Sequence, residues 1–272
     1  MPELPDLTVV AEELERRLAG RTVLEATAPT PILVRATPEE LAMLSGTKLG
    51  AASRRGKFLL LPFLRDGSVE RVLAANPMLA GRFWITGRGE RVRARTGLRL
   101  RLQGDEDLRY VDREMLGKLY LSSPDRLDDI PGWSEMGPDA DDPALTLEAF
   151  RQRIRRHPGE LKPLLRNPRF VSGIGNAYSD EILWEARLAP LRRRSSLSSE
   201  DVDRLYHAMR SVLADAIGRL RSLVPPHIEE QHREFLKVHL RGGQACPRCG
   251  RELRQIGGSE ATTFCRTCQP PF

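Results

Sequence analysis

All four cysteines of this 272-residue chain fall near its C-terminus, as CPRC (Cys246, Cys249) and CRTC (Cys265, Cys268). That spacing constrains the fold more than any other feature of the sequence. A C-x2-C pair presents two thiolates from one tight turn, and two such turns complete a tetrahedral four-cysteine zinc site, closed to substrate and therefore structural. The alternatives are two disulfides or four free thiols. Disulfides fit poorly, because the start MPELPDLTVV is acidic and lacks the apolar core of a secretory signal. One structural Zn2+ on Cys246, Cys249, Cys265 and Cys268 is the expectation. So small a hairpin has no core of its own, and metal binding would supply most of its folding free energy.

Upstream of the cysteines, hydrophobic periodicity divides the chain. Leu7, Val10, Ala11, Leu14 and Leu18 recur mostly at steps of three and four up to Gly20, which predicts an amphipathic helix over residues 6–19. Short β-rich segments follow near residues 22–26, 57–63, 68–75, 81–86, 98–102, 108–111 and 119–121, separated by Gly, Asp and Arg clusters. Helical patterns take over at residues 145–156, 160–165 and 175–188, and a long one opens at Ser198 with Glu200 and Asp201 in its first turn. The expected fold class is therefore α+β: a two-layer β-sandwich with a leading helix over residues 1–124, then an Asp- and Pro-rich linker over 125–143. A helical domain over 144–240 and the cysteine hairpin over 241–272 complete it.

Composition excludes several classes. With 40% hydrophobic and 29% charged residues the chain is neither disordered nor fibrous. Its longest apolar runs, such as residues 58–61 and 72–75, stop far short of the ~20 residues that span a bilayer. A cytoplasmic protein with no membrane association is expected. The net charge of +6 is unevenly placed: residues 151–272 hold 22 Lys and Arg against 13 Asp and Glu, whereas residues 1–150 hold 21 against 24. A basic half suits a polyanionic partner, because each phosphate contact releases counterions; a solvated Arg-rich surface is the plainer alternative.

The N-terminus carries reactive chemistry. Met1 precedes Pro2, a small residue after which initiator methionine is removed, so the mature chain would begin with a secondary amine beside Glu3. An α-amino group of pKa ~7.7–8.0 is substantially unprotonated near neutral pH and can attack an aldehyde-level carbon to give an iminium ion. The neighbouring carboxyl group can shuttle protons.

Four separated motifs then agree. MPELPD at residues 1–6, RRGKFLLL at 54–61, KPLLRNPRFVSGIGNAYSDEIL at 162–183, and CPRCG with TFCRTCQ at the C-terminus resemble, in order, those of the formamidopyrimidine-DNA glycosylase and endonuclease VIII family. The resemblance implies the same architecture: a β-sandwich with a leading helix, a helix-two-turns-helix domain and a zinc hairpin. It also implies a bifunctional DNA glycosylase and abasic-site lyase, acting as a monomer on damaged double-stranded DNA after flipping the lesion out of the stack. Carried over residue by residue, Pro2 would form a Schiff base with the sugar C1′, Glu3 would assist ring opening, and Lys57 would face a phosphate and aid β-elimination. Asn176 and Gly175 would bind backbone phosphate, and Lys162 would lie near the lesion. Met78, Leu79 and Leu116 would fill the stack vacated by the flipped base.

The chain also departs from the family pattern. Glu260 stands five residues before the third cysteine, where the family usually has an arginine linked to δ-elimination, so the reaction is expected to stop after β-elimination. Glu114 and Leu116 replace the wedge arginine and phenylalanine of the purine-directed members. Residues 225–238 are shorter than the loop with which those members cap the flipped base. An alternative follows from Glu114 and Glu260: a DNA-damage-binding protein that keeps the scaffold without the catalysis. His157, His207, His227, His232 and His239 form no metal-ligand pattern and read as surface or structural residues.

Overall fold

A computed structural model describes residues 1–258 and 260–270. Helix α1 spans Leu4–Leu18, with Leu4, Leu7, Ala11, Leu14 and Leu18 buried along one face. It starts two residues earlier than the periodicity predicts. Glu3 caps it in a reciprocal capping box with Asp6, whose carboxylate accepts the Glu3 N–H at 2.8 Å, and Pro5 is tolerated in the first turn, where no backbone donor is needed. Gly20, at φ 82°, turns the chain out of the helix, and its N–H donates to the Leu49 carbonyl at 2.7 Å.

Ten strands and one short helix follow: β1 (Val23–Thr27), β2 (Val34–Arg35), α2 (Pro38–Ala42), β3 (Lys48–Leu49), β4 (Ser53–Arg55), β5 (Phe58–Arg65), β6 (Ser68–Asn76), β7 (Gly81–Gly87), β8 (Thr96–Leu102), β9 (Glu106–Asp112) and β10 (Lys118–Ser122). They build the two sheets of a β-sandwich, one ordered β1-β8-β9-β7, the other β2-β10-β6-β5-β3 with β4 also on β5. All pairings are antiparallel except β10 with β2. Leu59, Leu61, Phe63, Leu73, Leu100, Leu108 and Tyr110 are buried in the sandwich. The strands missing from the sequence reading, β2 to β4, are two or three residues long and too short to show an alternating pattern.

Residues 125–143, expected to be a connection poor in apolar residues, bury both Ile130 and Trp133. The Trp133 ring meets Phe58 edge-on at 5.5 Å, and the Arg55 guanidinium lies 4.6 Å from its centre.

The chain divides into two compact units: Met1–Ser134 with Leu220–Gln231, and Glu135–Arg219 with the described chain from His232 onward. In the first, the Arg221 guanidinium clamps Glu12 of α1 with two hydrogen bonds, at 2.9 and 2.7 Å. The second contains α3 (Leu147–Arg155), α4 (Leu161–Arg166), α5 (Asn176–Glu185) and most of α6 (Ser199–Leu223), then a hairpin of β11 (Arg254–Ile256) and β12 (Thr262–Phe264). Phe150, Phe170, Leu164, Ile182 and Leu205 are buried in this unit. Helix α5 is buried on nearly every side, Asp180 and Glu181 included. The Glu181 carboxylate accepts the N–H groups of Lys237, Val238 and His239, each at 2.8 Å, and so fixes the chain that leads into the hairpin. No helix among the described residues is long and apolar enough to cross a membrane.

Candidate functional site

In the first unit the chain start forms a shielded corner. Glu3 is only 2% exposed, and Pro2 is buried beside it. Arg54 of β4 donates to the Thr8 hydroxyl at 3.0 Å, which ties the β4–β5 hairpin to the first turns of α1. The hairpin pairs Arg55 with Phe58, leaving Gly56 and Lys57 as its two-residue turn. Gly56 sits at φ 57°, a conformation that costs glycine little. Lys57, partly exposed, thus stands at the tip of a tight turn anchored to α1.

Two loops meet at the edge where β7 begins and β9 ends, because Gly81 pairs with Asp112. The buried Asp112 carboxylate organises one of them. It accepts the N–H groups of Glu114 at 3.0 Å, Met115 at 3.1 Å and Gly117 at 2.6 Å, closing residues 112–117 into a ring. The other loop, residues 76–81, is closed by the Gly81 N–H on the Pro77 carbonyl at 2.9 Å. A Cβ at Gly81 or Gly117 would fall within 2 Å of the Tyr110 hydroxyl, so a ring packed under both loops demands glycine at both positions. Leu79 and Leu116 are 53% and 46% exposed on these loops, Met115 is exposed beside Leu116, and Met78 is half-buried. Met115 was not singled out by the sequence, since one more apolar residue in a loop carries no periodic signal.

In the second unit the predicted residues converge on one main-chain carbonyl. Ala261 accepts from Lys162 Nζ and from Asn176 Nδ2, each at 3.1 Å. Lys162 is 3% exposed and also donates to Asp180 Oδ1 at 2.6 Å, while Asp180 Oδ2 contacts His239 Nδ1 at 2.8 Å. The ammonium expected near a lesion is therefore enclosed and committed to Asp180. Asn176 is the first residue of α5 and is partly exposed; Gly175 caps the helix and is buried with Gly173, whose φ of 98° only glycine adopts readily. Glu260 is exposed and pairs with Arg166 at 2.9 Å, so the carboxylate at the family's arginine position draws a basic side chain of α4 to itself.

The four cysteines meet as their spacing predicts. No disulfide links them, and all four Sγ atoms lie within 4.8 Å of one another, with Cys246 to Cys268 at 3.9 Å and Cys249 to Cys265 at 3.5 Å. Ligands about 2.3 Å from a tetrahedral centre stand ~3.8 Å apart, so the cluster fits a metal ion held by four thiolates. The surroundings suit such a charge: Trp184 Nε1 donates to Cys246 Sγ at 3.4 Å and the Cys268 N–H donates to Cys265 Sγ at 3.5 Å. Trp184, Val238 and Leu253 pack on the buried Cys246 and Cys265.

Residues 1–119 match the N-terminal domain of formamidopyrimidine-DNA glycosylases, and residues 136–224 match the helix-two-turns-helix domain of the same enzymes. The formamidopyrimidine-DNA glycosylase of Pelotomaculum thermopropionicum is 30% identical, with 99% of each chain covered. That of Moorella thermoacetica is 32% identical over 94% of each chain. Among solved structures, the Lactococcus lactis enzyme in complex with an N7-benzyl-Fapy-dG containing DNA superposes with a TM-score of 0.89 at 27% identity, covering 99% of this chain and 100% of that one. A MutM complex with carbocyclic 8-oxo-G containing DNA gives 0.88 at 26% identity, over 99% and 100%.

Proposed function

The chain belongs to the formamidopyrimidine-DNA glycosylase family, and on that premise we propose that it excises oxidised or otherwise damaged bases from duplex DNA through a Schiff base on Pro2, then cleaves the strand by β-elimination. The observation that carries this reading is the shielded N-terminal corner: Glu3, only 2% exposed, directly follows in the chain the residue whose nitrogen becomes the chain's own amine once Met1 is removed. A proton-transfer group held next to a nucleophile and away from bulk water is what base displacement and ring opening require. Lys57, on its anchored turn, supplies a cation for a phosphate next to the lesion. Leu116 and Leu79, with Met78 beside them, enter the stack as apolar wedges.

In the second unit, Asn176 and the main chain at Gly175 take backbone phosphate at the start of α5, where the helix dipole favours an anion. Lys162 acts through Asn176, since both are pinned to the Ala261 carbonyl. Cys246, Cys249, Cys265 and Cys268 hold one structural zinc ion, which stabilises the hairpin and takes no part in the reaction. Because Glu260 places a carboxylate where a phosphate would need neutralising, strand cleavage stops after β-elimination. The protein works as a monomer in the cytoplasm.

The scaffold-only alternative accounts for Glu3 as the cap of α1 but leaves Pro2, Glu3 and Lys57 together without a use. Borohydride reduction during incubation with an abasic-site duplex decides between them, since a Schiff base alone becomes a permanent protein–DNA cross-link. The processed chain forms the cross-link, and a chain that keeps Met1, so that the Pro2 nitrogen is an amide, loses most of it while still binding DNA. Undiminished trapping by the chain that keeps Met1 would remove the Pro2 nitrogen from the mechanism.

A further inference from the structure

In the full sequence Met1 precedes Pro2, and the Met1–Pro2 bond resembles a covalent intermediate. In the proposed adduct C1′ of the sugar is bonded to the Pro2 nitrogen. In the unprocessed chain the Met1 carbonyl carbon is bonded to that same nitrogen, so its oxygen and Cα stand for the C1′ substituents O4′ and C2′. The amide is planar, with partial double-bond character in C–N, as the adduct becomes when its C1′–O4′ bond gives way to C1′=N.

Gln231 Nε2 donates to the Met1 carbonyl oxygen at 3.2 Å. We infer that Gln231 is the hydrogen-bond donor to O4′ of the damaged nucleotide during ring opening, an inference that rests on the proposed role of Pro2. The orientation of the carboxamide is fixed from its other end. Gln231 Oε1 accepts from Arg82 Nη2 at 2.8 Å, and a guanidinium can only donate, so the NH2 group must face the N-terminus. Arg82 is itself held at the start of β7, its Nη1 donating to the Gly81 carbonyl at 2.7 Å. Pro2, Arg82 and Gln231 line one small cavity of about 20 Å³, with Asp6 and Glu230 also in its wall. Ile228, fully buried three residues before Gln231, anchors the segment that delivers it.

The chemistry balances with Gln231 as a donor that transfers nothing. The Pro2 nitrogen bonds to C1′ as the bond from C1′ to the base breaks, the base leaving with the electron pair and taking a proton from solvent. Glu3 accepts the proton lost by the Pro2 nitrogen and delivers it to O4′ as the nitrogen lone pair forms C1′=N and the C1′–O4′ bond breaks. Negative charge grows on O4′ before that proton arrives, and a preorganised N–H aimed at it lowers the barrier.

Two unreactive abasic analogues isolate the contact: tetrahydrofuran, which keeps the ring oxygen, and cyclopentane, which lacks it. The processed chain, its N-terminus verified by mass, is expected to bind the tetrahydrofuran duplex about threefold to tenfold more tightly than the cyclopentane duplex. Gln231→Ala, and Gln231→Glu, which keeps the shape but has no N–H to donate, bind the two equally. Both variants trap an abasic duplex at least about tenfold more slowly at saturating protein, with affinity for undamaged DNA unchanged. A wild-type chain indifferent to the ring oxygen, or variants that trap at the wild-type rate, would overturn the assignment. Failure of the Pro2 reading is separately visible as continued trapping by the chain that keeps Met1, because the analogue comparison involves no covalent step.

Discussion

Lys162 illustrates how a residue's surroundings set its role. Placed by motif near the lesion, it is enclosed between Asp180 and the Ala261 carbonyl, with His239 on the far oxygen of Asp180. Nothing in the sequence marks this, because Asp180 and His239 are brought to it only by the packing of α5 and of the chain entering the hairpin. Removing one member of a buried ion pair leaves the other uncompensated, which costs about 3–5 kcal/mol. Lys162→Met should therefore lose stability of that order in chemical denaturation, and the protein that stays folded should bind DNA more weakly through a loosened Asn176. A variant as stable as the wild type yet inactive would return the lysine to the lesion. By contrast, the chemistry proposed for Pro2 and Glu3 was read from the chain start together with the three later motifs, and needs no folded partner to be suggested. The Gln231 contact was not, because it depends on a return of the chain over more than two hundred residues.

At the scale of elements, the sequence disclosed what repeats or is punctuated and missed what is short. Helix α1 and the long strands followed from spacing, and the meeting of the four cysteines from their two C-x2-C pairs, whereas the ring of N–H groups around Asp112 rests on one carboxylate with no pattern around it. Helix α6 shows local coding at its clearest. Ser198 and Asp201 form a capping box, the Asp201 N–H donating to the Ser198 hydroxyl at 3.2 Å and the Ser198 N–H to Asp201 Oδ2 at 3.1 Å. Burial pushes the Asp201 carboxyl pKa up, but the Ser198 N–H, Arg192 and Arg204 outweigh it and hold the pKa below the usual carboxylate value. A depressed folded-state pKa contributes stability that is present above the unfolded value, ~3.9, and is lost as pH falls through the folded one. Asp201→Asn should lower stability at pH 7 and flatten its decline below about pH 4, as read from denaturation midpoints across that range. An unchanged acid limb would sever Asp201 from it. The hairpin makes a second prediction at this scale: chelation releases about one zinc per chain and opens the hairpin, loosening its packing on Trp184 and weakening DNA binding. Protein free of zinc that bound DNA normally would contradict the four-thiolate assignment.

Across the whole molecule, chemistry and charge are divided between the two halves of the chain. Residues 1–150 carry a slight excess of acid and contain the N-terminal corner and the two loops that expose Leu79 and Leu116; residues 151–272 carry the positive charge, α5 and the cysteine cluster. Affinity from phosphate contacts is salt-dependent and indifferent to base identity. On the function proposed, selection of a lesion falls to the first unit, through the loops at residues 76–81 and 112–117 and the N-terminal corner. The whole account turns on one bond, between the Pro2 nitrogen and C1′ of the damaged nucleotide. Its most direct test is peptide mapping by mass spectrometry of the borohydride-reduced complex of processed protein with an abasic-site duplex. The reduced sugar remnant should lie on the N-terminal peptide, at Pro2. A remnant found on a lysine instead, Lys57 above all, would show that a different nitrogen performs the chemistry.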